Sequence, residues 1–327
     1  MKAELKDDRV VLGENARQRF YDSSGYGVPH ESGSGLDLSL VEAAHLLYRG
    51  KLDSVGGMEF SEFLEHASET DRSFLPVFWV YKDLRERGYY LQHTPELGSA
   101  LRLYSRGDTP ATSDPETRVR VRNERQPLNV SELKDEELLG IVDEEGDITY
   151  FKVDEWDVSG GTKIPSSEGV TGHIINESVI VERPPGALYS SSFYGNRFDD
   201  RLRLSLVEAY DLVKRGILNI KGGPDISKIA GTDFDLKSRV YTDLRNRGVC
   251  PKTGFKFGTH FRVYETITNV NDLSHSEYLV HALPPGFAFD IPELSRAVRL
   301  AHGVRKTMVF ALVDDTISYV SVRRYRP

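Results

Sequence analysis

The chain is written twice. Residues 38–50 read LSLVEAAHLLYRG and residues 204–216 read LSLVEAYDLVKRG; residues 80–88 read VYKDLRERG and residues 240–248 read VYTDLRNRG. Ahead of these, YDSSGYG from Tyr21 matches YSSSFYG from Tyr189, and behind them LRLY from Leu101 matches FRVY from Phe261. Near each end, Ile141-Val-Asp and Ile148-Thr-Tyr match Leu312-Val-Asp and Ile317-Ser-Tyr. The matches keep their order over the whole of the 327 residues, so each copy is a globular unit of ordinary domain size and not one turn of a solenoid.

The copies divide naturally at a turn-rich stretch around Ser159-Gly-Gly-Thr and Pro165-Ser-Ser-Glu-Gly. This gives a first copy over 1–158, a linker over 159–172 and a second copy over 173–327, itself divided into 173–232 and 233–327. Ser39 with Glu42, and Ser205 with Glu208, form capping boxes that start helices, and Gly50 and Gly216 end them. Val240, Tyr241 and Leu244 share the face of a second helix that stops at Gly248. Phe261 and Val263 alternate with polar neighbours as in a strand, and residues 278–283 form another closed by Pro284-Pro285-Gly286. Ser274 and Glu277 leave a capped helix open there as the alternative. Leu294, Ala297, Val298 and Ala301 recur at helical spacing, and the apolar runs 308–313 and 317–322 make a closing hairpin. The expected fold is α/β (α+β): a tandem duplication, each copy a small N-terminal α/β subdomain plus a mixed-sheet sandwich of order β-β-α-β-β.

Composition excludes several classes. No stretch is long and apolar enough to span a bilayer, and the first twenty residues lack the apolar core of a signal peptide. Cys250 is the single cysteine, which excludes an internal disulfide or a cysteine zinc finger and fits a reducing cytoplasm. Neither GxGxxG nor GxxxxGK[ST] occurs, which disfavours a nucleotide-dependent enzyme. The net charge of −8 does not itself suggest nucleic acid, but phosphate binding needs only a local positive surface. Arg296, Arg299, Arg305 and Lys306, then Arg323, Arg324 and Arg326, could provide one. No histidine pair falls in a HExxH helix, so no metal site and no cofactor are expected.

The second copy contains, in order, KTGFKFGTHFRVYE, SHSEYLVHAL and ELSRAVRLAHGVRKTMVFALV. This trio, with LSLVEAYDLVKRG and VYTDLRNRG before it, resembles the catalytic half of the archaeal tRNA-splicing endonucleases, in their two-repeat homodimeric form. The resemblance implies a metal-independent ribonuclease acting on precursor tRNA at bulge–helix–bulge sites, whose nucleophile is the substrate's own 2′-hydroxyl. Its products are a 2′,3′-cyclic phosphate and a 5′-hydroxyl end. By position, the tyrosine ending FRVY is Tyr264, the histidine opening HSEYLV is His275, and the lysine of VRK is Lys306. The resemblance makes 173–232 an N-terminal subdomain and 233–327 the nuclease subdomain. The three residue types suit the chemistry. A base takes the 2′-hydroxyl proton, and a phenol of reference pKa about 10 needs nearby cations to do so. Imidazole, with a reference value of about 6.5, is suited to protonating the leaving oxygen. An ammonium stabilises the crowded phosphorane.

The first copy keeps Tyr104, but residues 105–128 contain no histidine, and aligning the terminal hairpins sets Asp135 opposite Lys306. This copy is expected to be a degenerate, non-catalytic repeat. The resemblance further implies two arginines stacking on a flipped base: Arg299 is one, and Arg324, with Arg323 as competitor, the other. It also implies an acidic loop that docks into a neighbouring unit, here Asp143, Glu144, Glu145 and Asp147, although a plain polar turn would read the same way. A cytoplasmic homodimer with no membrane partner follows. Two other classes stay open: a non-catalytic RNA-binding subunit, and a divalent-metal nuclease using Asp314 and Asp315.

Overall fold

A computed structural model of the chain describes residues 3–30, 33–133, 137–166, 169–221 and 225–327. Both capping boxes form. The Ser39 hydroxyl accepts from Glu42 N–H at the start of helix Leu40–Tyr48, and Ser205 does the same for helix Leu206–Lys214. Gly50 and Gly216 then take positive φ just past the ends, where a Cβ would be strained. These helices pack on two small sheets. The first contains strands Ala3–Lys6, Arg9–Leu12, Val28–Pro29 and Leu36–Ser39; the second has five strands, built from residues between 170 and 220. The strand Val170–Ile175 begins inside the stretch drawn as a linker.

The two C-terminal sandwich units are fused through one ten-stranded sheet. Strand Ile148–Glu155 of the first copy pairs antiparallel with Ile317–Tyr325 of the second, Val153 facing Val322, so the last strands of the two copies form the centre. Moving outward in the second copy the order is Thr307–Val313, Tyr278–Leu283, Phe261–Tyr264 and Cys250–Thr253; the first copy mirrors it. A second contact between copies, a short pairing of Leu128–Asn129 with Ala288–Phe289, reinforces the join. Helices Phe74–Glu86 and Phe234–Asn246 pack their apolar sides on one face of the sheet, burying Val80, Tyr81 and Leu84 in the first copy and Val240, Tyr241 and Leu244 in the second. On the opposite face lies helix Ile291–Gly303, which buries Ile291, Leu294, Val298 and Ala301. Each such aliphatic burial contributes roughly 1–3 kcal/mol.

Two details of the expected strand order change. An outer strand, Cys250–Thr253 (Tyr90–Gln92 in the first copy), adds a member; Pro251 and its short length hide it from pattern reading. Among the described residues, the helix between the third and fourth strands forms only in the second copy. In the first, the crossover between Thr117–Asn123 and Glu137–Val142 is too short and polar for one, and a 3₁₀ turn, Val130–Glu132, sits there instead. Of the two options at Ser274 and Glu277, the strand forms, starting at Tyr278. Among the described residues no helix is long and apolar enough to cross a membrane.

Candidate active site

Strand direction explains why residues far apart in sequence meet. Strands Tyr278–Leu283 and Thr307–Val313 are parallel, so both begin at the same end of the sheet. Strand Phe261–Tyr264 is antiparallel to the first of them, Val263 facing Tyr278, so it finishes at that end. The residue closing one strand, Tyr264, and those just before the other two, His275 and Lys306, therefore collect at one rim. They line a single cleft of about 350 Å³, together with Lys256, Phe257 and Arg262.

Each side chain is held differently. Phe261 and Val263 point into the core under helix Phe234–Asn246, while Tyr264 faces the other way, against Phe193, Cys250 and Ile267. Its ring meets Phe193 edge-on at 5.9 Å, and the residue is only 8% exposed. Burial pushes the phenol pKa above the ordinary tyrosine value, while the guanidinium of Arg262, 5.9 Å from the ring centre, pulls it down. No described residue makes a hydrogen bond to the Tyr264 hydroxyl, and Arg262 Nε is buried without an acceptor. His275 is exposed in the loop before the strand, next to buried Ser276. Lys306 is half-buried, and its ammonium donates to the Ser276 carbonyl, which ties the two approach loops together. Burial lowers the Lys306 pKa, Lys256 and Arg262 push the same way, and Glu277 opposes them. Lys256 and Lys306 sit 4.8 and 5.8 Å from the centre of the Phe257 ring. The cleft is thus a cationic pocket with a phenol on its wall and an imidazole at its mouth.

The two arginines lie at the same end. The sheet register sets Met308 opposite Val322, which carries Arg324 level with Lys306. Arg324 shares a face with Val320 and Val322, the face covered by helix Ile291–Gly303, on which Arg299 is exposed. Arg323 points to the opposite face and is bound to Asp154 at 2.7 Å, so of the two competitors it is the occupied one. In the acidic loop, Asp143 is spent on its own turn, accepting from Glu145 N and Asp147 N, and Glu144 pairs with Arg125 at 2.5 Å.

The first copy provides an internal comparison. Tyr104 occupies the place of Tyr264, but its hydroxyl donates to Gln92 at 2.7 Å. Gln92 stands where the second copy has Lys252, whose ammonium instead reaches Glu208 and the carbonyls of Phe193 and Gly195. The paired registers set Asp114 where the second copy has His275. Asp135 lies outside the described residues. Sequence reading passed over Lys256 and Arg262. Lys256 was detectable, because the first copy has Glu96 there, whereas Arg102 repeats Arg262 and concealed it. Asp314 and Asp315, the weak point of a metal-nuclease reading, sit in the terminal hairpin turn, where their carbonyls accept from Arg239.

The fold and its cleft define a duplicated α/β protein in which, among the described residues, a cationic cleft holding a phenol and an imidazole is built on the second copy. The family model of the tRNA intron endonuclease catalytic C-terminal domain matches residues 74–150 and again 234–319. The model of the N-terminal domain matches 1–64 and 170–229. The tRNA-splicing endonuclease of Haloarcula marismortui is 42% identical, that of Natronomonas pharaonis 43% and that of Methanococcoides burtonii 39%, each alignment covering all of both chains. The chain belongs to the tRNA intron endonuclease family.

Proposed function

We propose that the chain is an endoribonuclease that removes introns from precursor tRNA at bulge–helix–bulge sites, cutting RNA by transfer to its own 2′-hydroxyl. The observation that carries this reading is the convergence of Tyr264, His275 and Lys306 on one cleft, in one copy only. Tyr264 takes the proton of the 2′-hydroxyl as O2′ bonds to phosphorus. The P–O5′ bond breaks, and His275 gives its proton to the departing O5′. The products are a 2′,3′-cyclic phosphate and a 5′-hydroxyl. Lys306 faces the developing phosphorane charge, where a cation stabilises the transition state. Burial holds the resting phenol neutral, so Arg262 has a defined part: its charge opposes that burial and favours loss of the phenol proton to solvent, raising the small fraction of phenolate that can accept the 2′-hydroxyl proton. Arg299 and Arg324 grip an unpaired base from the side of the sheet they share.

The nucleophile and both proton-transfer groups are accounted for without a metal ion, so cleavage is expected to proceed in EDTA. The test is a bulged precursor RNA cut in EDTA with its ends mapped. Cyclic-phosphate and 5′-hydroxyl ends support the reading; 3′-hydroxyl ends, or loss of cutting in EDTA, reject it.

The reading includes a homodimer. A wide cleft of about 560 Å³ between the second copy's two subdomains presents Arg203 and Arg262, while Lys252 in its lining is paired with Glu208 and Lys237 with Asp233. The acidic loop of a second chain has the complementary charge, with Glu145 and Asp147 as the acids left for docking.

A further inference from the structure

Phe255 is 88% exposed, while the next most exposed large apolar residue, Ile175, reaches 56%. An aromatic ring left almost wholly in water forgoes the burial that usually stabilises it, and such residues mark binding sites when they adjoin one. This one does. It opens the 3₁₀ turn Phe255–Phe257, whose next two residues, Lys256 and Phe257, line the catalytic cleft.

The first copy shows that the turn does not require these side chains. The same turn forms there as Pro95–Leu97, followed by Gly98 at φ 54°, as Gly258 follows at φ 66°. Where the copy with the cleft has Phe-Lys-Phe, the copy without it has Pro-Glu-Leu: the exposed aromatic is absent and the charge is reversed. Local backbone needs are therefore met by either sequence, so the turn itself does not account for Phe255 and Lys256.

We propose that Phe255 is a stacking platform for an unpaired nucleobase next to the scissile phosphate, with Lys256 holding the phosphate that follows. The inference rests on the RNA-cleaving reading above. The occupant is argued from continuity and charge. Lys256, Arg262 and Lys306 make the adjoining cleft an anion site, so the ligand carries phosphate, and the polymer that presents a flat apolar face beside each phosphate is single-stranded nucleic acid. Stacking on one exposed ring is sequence-tolerant, so the platform positions the strand without selecting a base.

The test compares wild type with Phe255→Ala, Phe255→Leu and Phe255→Trp on a bulged RNA and on RNAs with a single base deleted to an abasic sugar at positions flanking the cut. The expected result is that Ala and Leu each weaken binding and raise KM about tenfold, the scale of one base–aromatic stack, while Trp retains wild-type values. The Ala penalty should vanish on one abasic RNA only, where the base that stacks is already missing. Equal Kd and KM for wild type and Phe255→Ala, or a penalty that persists on every abasic RNA, overturns the inference. So does a loss of dimer mass in Phe255→Ala by sedimentation, which would make the ring a protein–protein contact. If the wild type fails to cut bulged RNA, the cleavage reading itself is lost, whereas the binding comparison still tests the platform.

Discussion

At the scale of single residues, the two tyrosines separate the proposed catalytic role from a structural one. Tyr104 and Tyr264 close equivalent strands, yet one hydroxyl is committed to Gln92 and the other faces a cationic cleft. His275 differs from both, being exposed and on a loop, so its removal costs little packing. His275→Ala is expected to lower single-turnover cleavage by about 10²–10⁴-fold, the range for a general acid, while RNA affinity stays near wild type in filter binding. A matching loss of affinity would make it a binding residue. Tyr264, His275 and Lys306 could be read from the sequence because motif order preserves identity. Their meeting could not be read, since it depends on the parallel pairing of two strands separated by a helix. Lys256 and Phe255 were visible only by asking which positions the copies fail to share.

At the scale of elements, the capped helices that open the copies carry different buried groups. In the first, Glu42 is pushed up to about 7 by burial, against the pull of the Gly27 and Ser39 hydrogen bonds and Arg85. His45, three residues on and bonded to the Tyr26 hydroxyl at 2.8 Å, is pushed down to about 3 by burial, then by Arg85, Arg49 and Lys82. The signs oppose. Between the ordinary carboxyl value of 4.5 and about 7 the folded chain holds the Glu42 proton that the unfolded chain releases, so stability falls as pH rises. Between about 3 and 6.5 the unfolded chain binds the His45 proton that the folded chain refuses, so stability rises with pH. The two slopes offset one another from 4.5 to 6.5. Glu42→Gln should unmask His45, steepening the rise of unfolding free energy with pH across that window by up to about 1.4 kcal/mol per unit. Urea midpoints at several pH values measure it; a constant offset with unchanged slope would show that Glu42 is ionised throughout. His260 and His281, stacked at 4.1 Å and also depressed by burial, add the same slope to both proteins and cancel in the comparison. In the second copy Asp211 replaces His45 and Lys252 pairs with Glu208, whose carboxyl is held below its ordinary value although burial, the largest influence, works the other way. The helices were legible from capping boxes and terminal glycines. The missing crossover helix was not, because the repeat itself suggested that both copies carry it.

At the scale of the whole molecule, the duplication makes one chain into a built-in pair, its sheet continuous across Ile148–Glu155 and Ile317–Tyr325. Strand pairing across copies is a highly non-local contact, and local pattern has no information about it. Residues 159–162, within the stretch drawn as the linker 159–172, are strapped to the second copy. Gly160 N donates to the Arg247 carbonyl and Thr162 N to that of Gly248, and a Cβ on Gly160 would lie 1.8 Å from the Glu265 carbonyl oxygen, next to Tyr264. Among the described residues one such chain has one complete cleft, so under the proposed function cutting both bulges of a bulge–helix–bulge RNA within one complex would call for a second chain. The acidic loop and the cleft of about 560 Å³ lie on different copies of the same chain, so the proposed reciprocal docking between two chains would close a twofold assembly. Asp143 organises its turn and Glu144 is engaged by Arg125, so a wholesale change of the loop would confuse folding of the turn with loss of charge. Glu145→Ser with Asp147→Ser removes the free acids and keeps that turn. It is expected to shift sedimentation from twice 36.9 kDa toward the single-chain mass, most strongly at high salt, where screening weakens what attraction remains. Arg203→Glu, at the mouth of the opposing cleft, should dissociate the pair in the same way and be partly rescued by Glu145→Arg. Unchanged mass in both variants would remove the docking, and absence of rescue would place the loop on some other surface.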